Sequence, residues 1–243
     1  MNIRSGNVLR HEPVHPVQDL HFQVQGPVVA EIQKAFAEDW KFTTGEELSG
    51  EIWFPNLLKK GKAVARAISD GPDEDYDKLR LVLLGALSCA QHSVRIASPY
   101  FLPDEELILA LRVAALKGLK VEIFQPKINN LKMVQWASSA CHEELLSGGC
   151  TIWLTPPPFD HTKIMLVDDL WVLLGSANWD ARSLHFNFEF NVEVYDSILA
   201  DTIIRILTAK KSRAEKLYLD AVQSRSKWLR FRDNVFRLAS PYL

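Results

Sequence analysis

His161-Thr-Lys-Ile-Met-Leu-Val-Asp168, continued by Asp169-Leu-Trp-Val-Leu-Leu-Gly-Ser-Ala-Asn178, contains two short apolar runs joined by a pair of aspartates. Runs of this length, rich in branched side chains and ended by a Gly-Ser turn signal, read as two neighbouring β-strands, His161 to Val167 and Leu170 to Leu174. A strand turns its side chains to alternate faces, so His161 and Lys163 fall on one face and an imidazole and an ammonium converge. Gly175-Ser-Ala-Asn178 closes the second strand in a turn, where Ser176 and Asn178 offer donors to the same anion. Such a grouping suits a phosphate.

Beyond the turn, Phe186-Asn-Phe-Glu-Phe-Asn-Val-Glu-Val194 alternates without a break. Phe186, Phe188, Phe190, Val192 and Val194 share one face, and Asn187, Glu189, Asn191 and Glu193 the other. Glu189 is thereby expected opposite the imidazole, where a carboxylate on one ring nitrogen fixes the tautomer and raises the basicity of the other. Taken singly, each feature has a plainer explanation: a satisfied strand histidine, a solvated lysine, a half-buried strand. Chance does not readily place all of them in this order and spacing.

Upstream the pattern alternates between helix and strand: helix to Ala90, strand Ser93 to Ala97, helix Asp104 to Leu116, strand Lys120 to Phe124, helix Leu131 to Leu146, strand Cys150 to Leu154. This rhythm predicts an α/β fold with parallel connections, and the short links after residue 160 predict a mixed sheet. Downstream, one helix is expected over Ile198 to Val222, followed by a basic tail. Before Gly71-Pro72, Asp19 to Gln25 reads as a strand, and Val28, Val29, Ile32, Ala35, Phe36 and Trp40 fall at helical spacing. A boundary near residue 70 divides the chain into residues 1–70 and 71–243. His21 to Glu31 matches Asn191 to Asp201 in polarity pattern at a constant offset of 170 (191 minus 21). As an internal repeat this is a weak signal.

The 243 residues are 47% hydrophobic, enough for a substantial core, and the net charge of -2 gives no global attraction to nucleic acid or anionic lipid. Cys89, Cys141 and Cys150 show no metal-ligand spacing and fit a reducing compartment. The longest apolar run, around Leu81 to Ala90, falls well short of the roughly 20 residues that span a bilayer. Met1 to Leu20 lacks the apolar core of a signal peptide.

His161, Lys163, Asp168, Gly175, Ser176 and Asn178 occupy every fixed position of the H-x-K-x4-D-x6-G-S-x-N motif, so the chain resembles the phospholipase D superfamily. Flanking segments resemble bacterial cardiolipin synthases: Asp70-Gly-Pro-Asp-Glu74, Ser98-Pro-Tyr-Phe-Leu-Pro-Asp104, Trp179-Asp-Ala-Arg-Ser183, Asn187-Phe-Glu189 and Arg237-Leu-Ala-Ser-Pro-Tyr-Leu243. The resemblance covers nearly the whole chain. It implies a phospholipase D-like mixed sheet flanked by helices: one complete repeat over 71–243 and, over 1–70, a remnant of a preceding one. In the family two repeats face each other so that two histidines meet at one phosphate. Here one motif is present, and Met1-Asn2-Ile3 resembles the end of the first repeat's turn, so the chain is expected to be the C-terminal part of a longer protein.

The same resemblance implies a phosphatidyltransferase that forms a phosphohistidine, with His161 as general acid/base, Lys163, Ser176 and Asn178 on the phosphate, Glu189 supporting His161, and Asp168 structural. It implies no cofactor and no metal. The expected substrate is a phospholipid, phosphatidylglycerol foremost, at the inner face of the plasma membrane, with either a homodimer or a missing N-terminal lobe completing the site. No nucleic-acid partner is expected. The alternatives are a dimeric single-motif phosphodiesterase or nuclease, and an inactive lipid-binding remnant. Lys210 to Arg237 carries nine Lys or Arg against three acids, interleaved with aromatic residues. It reads equally as a lipid-contacting surface and as a solvated helix with its aromatics in the core. Lys59, Lys60, Lys62 and Arg66 pose the same question more weakly. Pro99-Tyr-Phe-Leu-Pro103 walls a lipid cleft or packs in the core, and His92 and His142 read as structural.

Overall fold

A computed structural model describes residues 15–72 and 77–242. Met1 to Ile3, the acidic loop at Asp73 and Glu74, and Leu243 lie outside the described residues. In chain order the elements are β1 (Val17–Gln18), α1 (Val28–Thr44), β2 (Val64–Asp70), α2 (Lys78–Cys89), β3 (Ser93–Ala97), β4 (Phe101–Leu102), α3 (Glu105–Leu116), β5 (Lys120–Pro126), α4 (Lys132–Ser147) and β6 (Thr151–Thr155). They continue with β7 (Phe159–Asp160), β8 (Ile164–Val167), β9 (Trp171–Gly175), β10 (Trp179–Asp180), α5 (Ala181–His185), β11 (Glu189–Tyr195), α6 (Ser197–Lys211), β12 (Glu215–Leu217), α7 (Leu219–Gln223) and α8 (Lys227–Leu238). The main sheet has eight strands in the order β12-β6-β5-β3-β8-β9-β11-β2.

Its two halves follow from their connections. Strands β3, β5 and β6 are separated by helices and pair in parallel, as crossover connections require. From β8 on the links are short and the pairing is antiparallel, through β9 and β11 to β2, giving the expected mixed sheet. Helices α2, α3 and α4 bury Leu83, Leu111 and Leu145 against Ile96, Ile123, Met165 and Val167 on one face. On the other, α6 sets Ala200, Ile203 and Leu207 against Phe124, Ile164, Leu166 and Val172. Strand β8 is therefore sandwiched, with alternate residues committed to opposite layers. Asp104 caps α3 by accepting from the Leu107 N–H and pairs with Arg80 of α2 at 2.6 Å, which locks the two helices together.

Four expectations need correction. His161 to Lys163 precede β8 rather than forming its start, because pairing with β3 begins only at Ile164. Asp19 to Gln25 forms no strand, the two residues of β1 lying just before it; Leu20 and Phe22 pack instead on the α6-side core. Phe186 and Phe188 precede β11 and are more than half exposed, since α5 takes up the preceding residues. The single helix over Ile198 to Val222 is broken after Lys211: Glu215 to Leu217 pair antiparallel with Ile152 to Leu154, and the backbone of β6 gains partners that a continuous helix would deny it. Strand β2, ahead of the boundary near residue 70, is the opposite edge of the sheet.

The basic tail is a folded helix. Helix α8 lies on α4, with the rings of Trp136 and Phe236 4.9 Å apart and the Arg232 guanidinium 4.3 Å from the Trp136 centroid. Arg225 and Arg232 both pair with buried Asp233, Arg230 with Glu143, and Arg237 with Glu144. Under this docking His142 of α4 is buried, its Nε2 3.2 Å from Gln125 Oε1. Burial, reinforced by the positive charge of Arg225 and opposed by Asp233, pushes its pKa from 6.5 down to about 4. In this window the unfolded chain binds a proton that the folded one refuses, so stability is full above pH 6.5 and falls toward pH 4. Wild type is expected to lose about 3 kcal/mol across it by this one group. His142→Gln should flatten that slope in chemical denaturation followed against pH.

Candidate active site

Four residues of the motif, His161, Lys163, Gly175 and Ser176, meet at a cavity of about 340 Å³ that Asp19, Phe22, Phe190 and Val192 also line. His161 and Lys163 point to the same side although neither is in a strand, because the alternation of β8 carries through the preceding residues: Thr162 between them is buried. Lys163 Nζ lies nearly equidistant from the two ring nitrogens of His161, 3.1 Å from Nε2 and 3.2 Å from Nδ1, and 3.1 Å from the His161 carbonyl oxygen. His161 Nδ1 is 3.2 Å from Asp19 Oδ2. We assign the ring proton to Nδ1, donated to Asp19, which leaves Nε2 as the ring's acceptor nitrogen. Tyr100 and Phe159 wall the imidazole at ring separations of 6.5 and 6.1 Å. In the aromatic segment after β3, Phe101 and Leu102 are in the core, while Tyr100 faces the histidine.

Glu189 does not stand against the imidazole. Its Oε2 accepts from the Ser176 hydroxyl and its Oε1 from Asn187 Nδ2 at 3.0 Å. The carboxylate on the histidine is Asp19, which the motif did not flag. One signal pointed to it: the repeat offset of 170 sets Asp19 directly against Glu189. Ser176 lines the cavity, whereas Asn178 lies behind it, donating from Nδ2 to Ser183 Oγ at 3.1 Å. Ser183 is held in turn by Asp180, the cap of α5. Burial raises the Asp180 pKa above the ordinary 3.8 and Glu189 adds to this, while hydrogen bonds from Ser183 act against it.

Gly175 has to be glycine: a Cβ there would come within 2.2 Å of Asn191 Oδ1 and 2.5 Å of the Phe190 carbonyl oxygen. This close approach of β9 to β11 brings Ser176 and Glu189 together. Asp168 sits in the β8–β9 turn with φ 51° and faces away from the cavity toward the start of β3. Its carboxylate accepts from the backbone N–H groups of Gln91, His92 and Ser93 at 2.6, 2.7 and 2.9 Å. Partial burial favours the neutral acid, yet these three donors hold its pKa below the ordinary 3.8. Among the described residues no group of three or more His, Cys, Asp or Glu is placed to hold a metal ion.

Over residues 83–211 the sequence matches the family described as cardiolipin synthase, PLD-like domain. The cardiolipin synthase of Geobacillus sp. (strain WCH70) is 35% identical over 228 residues, covering 93% of this chain and 45% of that protein. The chain spans about half the length of the curated relatives it matches. Among solved structures, phosphatidylserine synthase from Haemophilus influenzae Rd KW20 superposes with a TM-score of 0.59 at 16% identity, covering 78% of this chain and 50% of that one. Nuc, a phospholipase D family member from Salmonella typhimurium, gives 0.56 at 19% identity, covering 65% of this chain and 99% of that one. At these identities the two structures establish a shared fold.

The Asp168 bonds predict a structural phenotype. Asp168→Ala, leaving three N–H groups without their acceptor, is expected to cost about 1–3 kcal/mol at neutral pH. Because the folded-state pKa is depressed, that contribution is present above pH 3.8 and disappears as pH falls below it. Thermal unfolding of both proteins at pH 7 and pH 3 checks this: the difference in Tm should shrink in acid.

Proposed function

Since the chain belongs to the cardiolipin synthase, PLD-like domain family, we propose that the His161 cavity is a half-site for phosphatidyl transfer on phospholipid phosphodiester bonds. The observation that carries this reading is the triplet Asp19–His161–Lys163: a cavity-lining histidine with one nitrogen anchored on a carboxylate and a cation against its ring. The chemistry runs through two displacements at phosphorus. One histidine attacks, giving a phosphohistidine, while another protonates the departing alkoxide and then deprotonates the acceptor hydroxyl.

His161 takes the acid/base role: with both nitrogens protonated it gives the Nε2 proton to the departing alkoxide, and the Nδ1–H tautomer so formed takes a proton back at Nε2 from the acceptor hydroxyl. Lys163 neutralises the phosphoryl oxygens, and Ser176, once turned from Glu189, donates to them; a positioned donor of this kind contributes about 10²-fold or more. Asn178 acts by holding the turn. The nucleophilic histidine is supplied by a facing lobe or a second copy of the chain. Phosphatidylglycerol, as donor and acceptor, is the substrate that joins this site to the chemistry named by the relatives.

The exposed face of α8 supports a peripheral membrane contact. Six of the nine basic residues between Lys210 and Arg237 are engaged in ion pairs within the fold. The outer face, by contrast, carries Trp228, Phe231, Val235 and Leu238, each between 46% and 84% exposed. That face seats on lipid at the inner leaflet by apolar insertion more than by charge. No helix among the described residues is long and apolar enough to cross a membrane.

Two measurements test these readings. Incubated with phosphatidylglycerol vesicles, the chain is expected to form cardiolipin at a rate rising with the square of its concentration, and His161→Ala should lower that rate about 10²-fold or more. A rate unchanged in the variant removes His161 from the chemistry, and vesicle binding without product leaves the chain a lipid-binding half-site. In co-sedimentation with the same vesicles, Trp228→Ala/Phe231→Ala should weaken binding roughly 10-fold or more with little dependence on salt. Binding that falls steeply with salt and ignores the two aromatics would assign contact to the charges instead.

A further inference from the structure

The segment that presents His161 has little regular structure to hold it. It follows two residues of β7, whose pairing is with the two residues of β1, and it reaches the main sheet only at Ile164. Yet a cluster of buried polar groups lies directly beneath it. Asp160, Thr162 and Lys210 are 6%, 1% and 3% exposed. The Lys210 ammonium, in the last turn of α6, pairs with Asp160 Oδ2 and donates to Thr162 Oγ1 at 3.3 Å. Asp160 Oδ1 in turn accepts from the Thr162 hydroxyl at 2.6 Å and from its N–H at 3.2 Å. Every partner in this triangle is used, and none of the three side chains lines the cavity around His161.

The parity of β8 explains the placement. Residues 164 and 166 face α6, and 160 and 162 continue that row, so a cation on α6 grips the two residues whose neighbours, His161 and Lys163, must face the cavity. A buried ion pair is a poor device for stability, because apolar side chains of similar volume serve as well or better; where it excels is in fixing one arrangement over its alternatives. We infer that Lys210, with Asp160 and Thr162, forms a clamp that positions His161 and Lys163, holding the imidazole at Asp19 and the ammonium against the ring. These are positioning residues: they act through the backbone of the segment and touch no substrate. The inference rests on the reading of His161 as the phosphate-site histidine.

The test separates position from stability and needs no turnover. Lys210→Met alone strands the Asp160 charge, so the informative variants are the paired apolar replacement Asp160→Leu/Lys210→Met and the single change Thr162→Val. Thermal unfolding is expected to show both folded, with Tm within a few degrees of wild type. Nitrogen-15 NMR of the imidazoles in the ligand-free chain is then expected to show His161 held as the Nδ1–H tautomer in wild type. The paired variant should show a mixture of tautomers, and Thr162→Val a smaller shift the same way. Binding of inorganic phosphate, followed by calorimetry, should weaken about 10-fold in the paired variant. A His161 signal fixed as in wild type in both variants, or a wild type with no fixed tautomer, overturns the clamp. Loss of phosphate binding in His161→Ala tests the underlying reading separately, since the tautomer measurement stands whether or not phosphate binds.

Discussion

Burial of β8 on both faces is the constraint on which the molecule turns. Ile164 and Leu166 belong to the layer under α6, Met165 and Val167 to the layer under α2, α3 and α4. A strand packed on one side can slip at the cost of that side alone; a slip of one residue here would exchange the partners of both cores. The register is therefore fixed by the two layers together, and it extends backward through residues that form no strand. His161 and Lys163 face the cavity because their neighbours are committed elsewhere, and Gly175 then lets β11 approach closely enough to bring Ser176 and Glu189 to the same rim.

Much of this was legible in the sequence because local periodicity and tertiary environment agree. Ser93 to Ala97 is a strand by pattern and in space, and helices α2, α3 and α4 lie within a residue or so of their apolar periodicity, since those positions recur at helical spacing and Asp104 supplies a cap. What escaped was decided by partners distant in sequence. Glu215 to Leu217 carry helical propensity and become a strand because β6 needs an edge partner. Asp19 and Glu189 are equivalent in pattern, and only packing determines which carboxylate reaches the imidazole. The clamp at Lys210 was likewise invisible: a lysine late in a helix normally suggests solvent, and its burial follows from Asp160 fifty residues earlier.

The charged residues show the same division. Read along the chain, Lys210 to Arg237 is a basic run; in space it is a set of pairings with acids on β5, β7, α4 and α8 itself. Net charge of a segment thus says little about what it offers to a partner once the acids come from elsewhere. The apolar side chains behave in the opposite way, since Trp228 and Phe231 remain outside although residues of their type are usually drawn in. Charge retained inside and aromatic surface left outside is the reverse of an ordinary surface helix.

The sheet's two edges have a practical corollary. The segment matching the family runs from residue 83 to 211, whereas β2 ends at Asp70 and β12 begins at Glu215. The outermost strand on each side therefore lies beyond that matched segment, although the similarity to the cardiolipin synthases extends over 93% of the chain. A recombinant piece trimmed to the matched segment would expose the backbone of β6 at one end and β11 at the other, two unprotected templates for adding strands from neighbouring molecules. Such a piece would keep the whole motif from His161 to Asn178 and still precipitate, through its borders and not through its chemistry.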